Sequence, residues 1–403
     1  MRKIIVLLLM VLLIAGCTNP TKDTIKIGLL IPTTGGLSSY GGAMGYAVDI
    51  AIEEINDAGG VLGKNIEFVL KNTETDPDIA KTRAQELIDE DIVIIIGAAA
   101  SSSTIKASEV TIPNKCVLIA PPSTSPDITT LDDSDYVYRT CPSDLLQGKA
   151  MAMYIYQTLA KTDISCLYVD NSYGEGLKNV LYTEFKNLGG DTLEAVPYPD
   201  SFTTLPADSI DFMPYIDSLY SINASIVVLI AYDDGGVAVH QEATTGGDSL
   251  EWFGCDGIMT QGFLDNAGTY ANDIMGTAPY HEEDTYYESF KTRYKAKNPD
   301  GTDPVVFISN TYDAVILAAL AIEKAGSNTD GALLKTSLRQ IAYTGTTVRT
   351  YADAITQLNN SNDINYNGVS GNLDFDSYGD VITPYEIWKV ISGSFNHQSI
   401  ITP

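Results

Sequence analysis

Apolar positions along this chain fall into two alternating periods. Ile25–Ile31 is a short, nearly continuous apolar run ending at Pro32, the pattern of a parallel strand covered on both faces. After a Gly-rich loop, Met44, Ala47, Val48, Ala51, Ile52 and Ile55 recur at helical spacing and form one stripe, stopped by Gly59-Gly60. Residues 66–70 predict the next strand. Asp76 before Pro77 predicts an N-cap with proline at the first helical position, and Ala80, Ala84, Leu87 and Ile88 face inward beyond it. A strand at 92–96, a helix from about Ser103 and a strand at Val117–Ala120 continue the alternation. The pattern restarts after Arg139-Thr140-Cys141-Pro142. A strand at 164–169 leads to a helix at 173–188 closed by Gly189-Gly190, and strands follow at 226–231, 252–255 and 274–278. Helical periods then cover 286–297 and 304–325, with late strands at 372–375 and 386–391. Repeated strand–helix units with apolar strands predict an α/β protein of doubly wound parallel-sheet lobes. A length of 403 residues, at about 150 per domain, agrees with two or three such units.

Charge narrows the partners. Fifty-two acidic side chains against 24 basic ones give a formal charge of −28, which excludes nucleic acid and anionic lipid faces as natural targets. The 3 histidines, His240, His281 and His397, are too scattered for a zinc site, and no metal is expected.

The N-terminus predicts an exported destination. Arg2 and Lys3 precede an unbroken apolar run at 4–14, too short for the ~20 residues of a membrane-spanning helix and suited to a signal-peptide core. Leu13-Ile14-Ala15-Gly16-Cys17 resembles the lipobox of prokaryotic lipoproteins. That resemblance implies a signal peptide at 1–16, a lipidated Cys17 and a tether at 17–23. The mature protein would then sit on the outer face of the cytoplasmic membrane or in the periplasm, held to the membrane by lipid alone.

The remaining cysteines, Cys116, Cys141, Cys166 and Cys255, form no C-x-x-C pair, and no disulfide is assigned. Nucleotide-binding, nucleophile-elbow and zinc-protease motifs are absent. Gly174-Glu175-Gly176 begins a G-x-G-x-x-G, but Asn179 takes the last glycine position, and the segment reads as the opening of a surface helix. No catalytic residues and no cofactor are expected. An exported hydrolase would need a nucleophile-and-base pair that the sequence does not offer.

A resemblance then covers nearly the whole mature chain. Ile25-Lys26-Ile27-Gly28, Thr34-Gly35 with Tyr40-Gly41, and Ile55-Asn56-Asp57-Ala58-Gly59-Gly60-Val61 resemble the opening of the branched-chain amino-acid (Leu/Ile/Val) binding proteins. So do Thr75-Asp76-Pro77, Ile96-Gly97 followed by Ser101-Ser102-Ser103-Thr104, and Ser123-Thr124-Ser125-Pro126-Asp127. Arg139-Thr140 with Pro142-Ser143-Asp144 and Gln147-Gly148, then Tyr173-Gly174-Glu175-Gly176, continue the match. Each piece is short; their order and spacing make the match specific. It implies a type I periplasmic-binding-protein fold, with two lobes joined by three crossover strands near 140–143, 277–280 and 370–371. The lobes would be 24–142 plus 279–370, and 143–278 plus 371–403. A monomer would capture a small solute in the interlobe cleft and deliver it to the permease of an ABC importer. The alternatives are a ligand sensor of the same fold, which would be expected to continue beyond Pro403 into a membrane or signalling segment, and a binder of amides, urea or aromatic carboxylates.

The pocket follows from the charges of a free amino acid. Its carboxylate needs donors, and the Ser101-Ser102-Ser103 run at a helix start supplies hydroxyls, free N–H groups and the helix dipole. The resemblance places the carboxylate contact at Ser101 and adds Thr124. For the ammonium it implies the Pro122 carbonyl, the Thr124 hydroxyl and Asp256, where the best-known family members carry Glu. Tyr40, Tyr173 and Tyr232 fall on positions where aromatic rings line the cleft, and Phe307 on one facing the ligand side chain. Such walls favour an apolar ligand side chain.

Overall fold

The computed structural model describes residues 24–205, 209–247 and 250–403. The expected signal peptide, Cys17 and the tether lie outside the described residues.

The first five strands, β1 (Ile25–Ile31), β2 (Ile66–Asn72), β3 (Ile94–Gly97), β4 (Val117–Ala120) and β5 (Val137–Arg139), form one parallel sheet in the order β2-β1-β3-β4-β5. The next five are β6 (Asp163–Asp170), β7 (Asp191–Pro199), β8 (Val227–Ile230), β9 (Trp252–Gly254) and β10 (Met275–Pro279). After β11 (Thr346–Val348), β12 (Ile364–Gly368) and β13 (Gly371–Asn372), the chain ends in the hairpin β14 (Tyr385–Ile391) and β15 (Ser394–Ile401). The second sheet runs β15-β14-β10-β9-β8-β6-β7. It is parallel from β7 to β10, but β14 pairs antiparallel to β10 and β15 antiparallel to β14. The second lobe therefore carries a mixed sheet where an all-parallel one was expected. The small sheet β11-β12-β13 belongs to the first lobe's side of the chain.

Helix starts follow their side chains. Asp76 accepts from the N–H groups of Asp78 and Ile79, both at 2.9 Å, with Pro77 opening the helix Pro77–Asp89. Asn171 caps Ser172–Asn187 in the same way. The helix Ile308–Ala325 is apolar nearly all round and buried along almost its full length, as a helix at the centre of a lobe must be. It begins four residues later than the periodicity predicted, because Phe307 has a left-handed backbone (φ 69°) that breaks the helical path. All four described cysteines are buried free thiols.

Three passages join the lobes. Pro142 forms an isolated parallel bridge with Val381, and the Tyr280 N–H donates to the Pro384 carbonyl at 2.9 Å, so the three passages lie side by side. The third comes later than expected. β13 at Gly371–Asn372 still pairs with β12, the Phe375 ring packs 4.9 Å from that of Tyr138, and the Arg139 N–H donates to the Gly379 carbonyl at 2.9 Å. These contacts keep the segment after β13 on the first lobe, and the crossing falls at 381–384 instead of 370–371. No helix among the described residues is long and apolar enough to cross a membrane.

Candidate ligand-binding site

The carboxyl ends of the parallel strands in both sheets open onto one cleft, which is where open α/β sheets place ligands. A pocket lies there, lined by Tyr40, Ser101, Pro122, Thr124, Tyr173, Tyr232, Asp256 and Phe307 together with Leu37, Ala99 and Gly257. All eight residues picked out in the sequence meet around this space.

The first lobe supplies donors. Ser101 is the first residue of the helix Ser101–Thr111, which follows β3, and no side chain caps its N-terminus. The leading N–H groups therefore lack acceptors within the helix. The Ser101 hydroxyl accepts from the Ser125 N–H at 3.2 Å, leaving its own proton free to donate. Ser123 donates to the carbonyls of Ala98 (2.9 Å) and Ala99 (3.1 Å) and shares a 2.7 Å bond with Thr104, clamping the β3 and β4 loops together. Beneath them, the fully buried Arg139 donates from Nε to Asp380 at 2.7 Å and from Nη1 to the Ser125 carbonyl at 2.8 Å. The loop that carries Thr124 is thus built on a buried ion pair.

The second lobe supplies an acid and a stacked aromatic wall. Asp256 follows β9 at the start of a short 3₁₀ turn and is buried. Tyr173 donates to its Oδ1 at 2.9 Å. Burial raises the Asp256 carboxyl to about 6, held from rising further by the hydrogen bond from Tyr173. No basic side chain is bonded to it. The Tyr173 and Tyr232 rings stack with centroids 5.3 Å apart and planes at 14°. Gly257 must be glycine, because a Cβ there would lie 2.4 Å from the Ala231 carbonyl oxygen and 2.7 Å from the Tyr173 hydroxyl.

The lobes touch across the cleft. Ser39 donates to Asp233 at 2.5 Å, Ser125 donates to the Ser172 carbonyl at 2.7 Å, and Tyr40 reaches the Asp256 carbonyl oxygen at 3.5 Å. A Cβ on Gly176 would come within 2.7 Å of Pro126. The Gly174-Glu175-Gly176 turn is therefore a helix opening as expected, but it packs against the other lobe instead of standing on a free surface.

Two polar residues behind the pocket escaped notice as site residues. Asp144 and Gln147 share one face of the helix Asp144–Met153, both fully buried. The signal that could have found them is the Pro142-Ser143-Asp144 and Gln147-Gly148 match to the family.

Known proteins share this sequence pattern and fold. The profile of the periplasmic binding protein family matches residues 24–362. A chemotactic signal transduction system substrate-binding protein of Halobacterium salinarum is 27% identical, covering 94% of this chain and 89% of its own length. A leucine-, isoleucine-, valine-, threonine- and alanine-binding protein of Pseudomonas aeruginosa is 28% identical over 75% of this chain and 79% of its own. Among solved structures, a leucine-binding protein of Thermotoga maritima superposes with a TM-score of 0.80 at 26% identity, covering 94% of this chain and 99% of that one. With its two lobes, its interlobe cleft and a profile match over most of its length, the chain belongs to the periplasmic binding protein family, whose members are extracytoplasmic binders of small solutes and not enzymes.

Proposed function

We propose that this protein captures a free L-amino acid with an apolar side chain in the interlobe cleft and delivers it to an ABC importer. One observation carries the reading: a single cavity has carboxylate donors at Ser101 on one lobe and a buried acid without a basic partner, Asp256, on the other. Donors and acid stand on opposite sides, as the two charges of an amino acid require, and Tyr40, Tyr173, Tyr232 and Phe307 supply apolar walls. Pro122 and Thr124 complete the contacts to the ligand's polar end. The amino acids bound by the Pseudomonas aeruginosa and Thermotoga maritima relatives support an amino-acid ligand. The lobes that close on it are 24–142 with 279–381, and 143–278 with 382–403.

Ligand sensing is the second reading, favoured by the Halobacterium salinarum relative, whose name assigns it to chemotactic signalling. Both readings share the pocket chemistry and differ in the partner.

A thermal-shift panel of amino acids, amides, urea and aromatic carboxylates tests the ligand class. A ligand that binds only the folded state stabilises it by about 2.7 kcal/mol at a hundredfold excess over Kd. Apolar L-amino acids should give the largest shifts; an aromatic carboxylate shifting the protein more than any amino acid would overturn the assignment. For anchoring, we propose that Cys17 carries the lipid. Cys17→Ser should move the protein from the membrane fraction to the soluble one, and retention of the variant in the membrane would exclude the anchor.

A further inference from the structure

Asp144 is the first residue of the helix Asp144–Met153, capped by Ser143, and its backbone N–H donates to the Thr124 carbonyl at 2.8 Å. It is wholly buried, and its carboxyl faces no basic side chain at bonding distance; the Thr124 hydroxyl is the donor turned toward it. A buried ionised carboxylate without a basic partner is costly. One turn on, Gln147 donates to the Thr277 carbonyl and hydroxyl, both at 3.2 Å, while its own Oε1 is without a partner. This acceptor face, with no basic side chain on it, sits directly behind Thr124 and within reach of the Asp256 charge. The cation within reach, Arg139, is committed to Asp380, Thr129 and the carbonyls of Ser123 and Ser125. Asp256 lines the cavity and Asp144 lies behind it, and among the described residues no uncommitted base stands beside the two acids.

We propose that Asp144 and Asp256 form a two-carboxyl cation site that holds a proton while the cleft is empty and releases it to water when the ligand's ammonium arrives. On binding, one carboxyl O–H breaks, its proton goes to solvent, and the ammonium takes over the neutralising role; the ligand itself undergoes no covalent change. This rests on the amino-acid reading and deepens it, because it makes a cationic head group the feature the site selects.

Of the other groups around the pair, Asp233, on the far side of Tyr40 and held by Ser39 and Thr260, is raised to about 6 by burial and keeps its own titration in Asp144→Asn; the rest do not titrate in the relevant range. Burial, with nearby negative charge added, pushes the phenols of Tyr40, Tyr173, Tyr232 and Tyr385 up, and burial does the same to the thiols of Cys141 and Cys255. Arg139 stays charged. For Asp144, burial and then the Asp256 charge raise the carboxyl well above the usual carboxylate range, and burial raises Asp256 to about 6. A bound ammonium lowers both, so the empty cleft binds protons more tightly than the occupied one. Affinity is then full above the empty-cleft values and is lost as pH falls through them.

Calorimetric titration with L-leucine at pH 5.5, 6.5 and 8.0, in buffers of different protonation enthalpy, reads this directly. At the lower pH values, binding should release up to about one proton per ligand, and Kd should rise by up to about tenfold per pH unit of acidification. Asp144→Asn keeps the shape, removes the charge and should flatten the pH profile. Leucine binding without proton exchange at any of the three pH values would overturn the proposal and leave the amino-acid reading standing. An unchanged pH profile in Asp144→Asn would overturn it as well. Failure of leucine and every other apolar amino acid to bind at any pH would overturn both.

Discussion

Asp256 is the residue at which stability and binding pull apart. In the unfolded chain its carboxyl ionises at an ordinary value; in the empty cleft burial raises it to about 6. The folded state is therefore penalised at neutral pH, and the penalty fades as pH falls through that value. Asp256→Ala should accordingly raise the ligand-free melting temperature at pH 7.5, while removing the proposed charged partner of the ligand's ammonium. Losing that partner costs about 2–5 kcal/mol of binding, roughly thirtyfold or more in Kd. Ser101→Ala should cost less, about 1 kcal/mol, because the helix N–H groups and Thr124 remain as donors. Calorimetry and melting curves on both variants check the pair of effects; a ligand-free Asp256→Ala that melts lower and binds as wild type would contradict them. Asp256 itself was readable only through the family resemblance, which sets it where the best-known members carry Glu. Its environment was not, since Gln147 and Asp144 reach it only through the fold. Phe307 marks another limit: its place in the pocket could be read, but nothing in the apolar period announces a bulky residue with φ 69°.

At the scale of elements, legibility tracks burial. The central strands β3, β4 and β8 are buried at every position, and their apolar runs predicted them. β7 and β15 stand at the two edges of the second sheet with most positions wholly or partly exposed, and neither was anticipated. An edge strand has one free side and tolerates polar residues, so the apolar signal that marks a central strand fades there. β15 reads Ser394-Phe395-Asn396-His397-Gln398-Ser399 before its first isoleucine, and propensity alone would pass over it. The predicted strand at 372–375 failed for a related reason: Leu373 and Phe375 are buried through their side chains, while the backbone leaves the ladder after Asn372. Helix starts were most readable where an Asp or Asn side chain makes the cap, as at Asp76. The site benefits from the same logic, since Ser101, Thr124, Tyr173, Tyr232 and Asp256 all follow strands whose carboxyl ends face the cleft.

For the whole molecule, the contacts across the cleft describe lobes drawn together. Ser39 on the first lobe donates to Asp233 on the second at 2.5 Å, and Asp233 also accepts from Thr260. Neither Ser39 nor Asp233 lines the ligand cavity, so their bond favours closure without touching the ligand. A ligand stabilises the closed form only through contacts that form needs, and here those come from both lobes. The amino acid would dock first on the Ser101 and Thr124 side, where the donors sit together, and the second lobe would bring Asp256 and Tyr232 to it. Asp233→Ala removes the interlobe hydrogen bond from Ser39 together with the one from Thr260 inside the second lobe; the interlobe bond is worth about 1.5–3 kcal/mol at most, and its loss should weaken binding roughly tenfold without altering which ligand is preferred. Small-angle scattering supplies the structural readout: the ligand-free variant should have a larger radius of gyration than the ligand-saturated wild type, and saturating ligand should shrink it. If wild type and variant scatter identically with and without ligand, and Kd is unchanged, Ser39 and Asp233 do not control closure. If Kd rises with no change in radius, the bond acts locally on the pocket rim, and the tight pairing of Gly176 against Pro126 becomes the contact through which the lobes hold together.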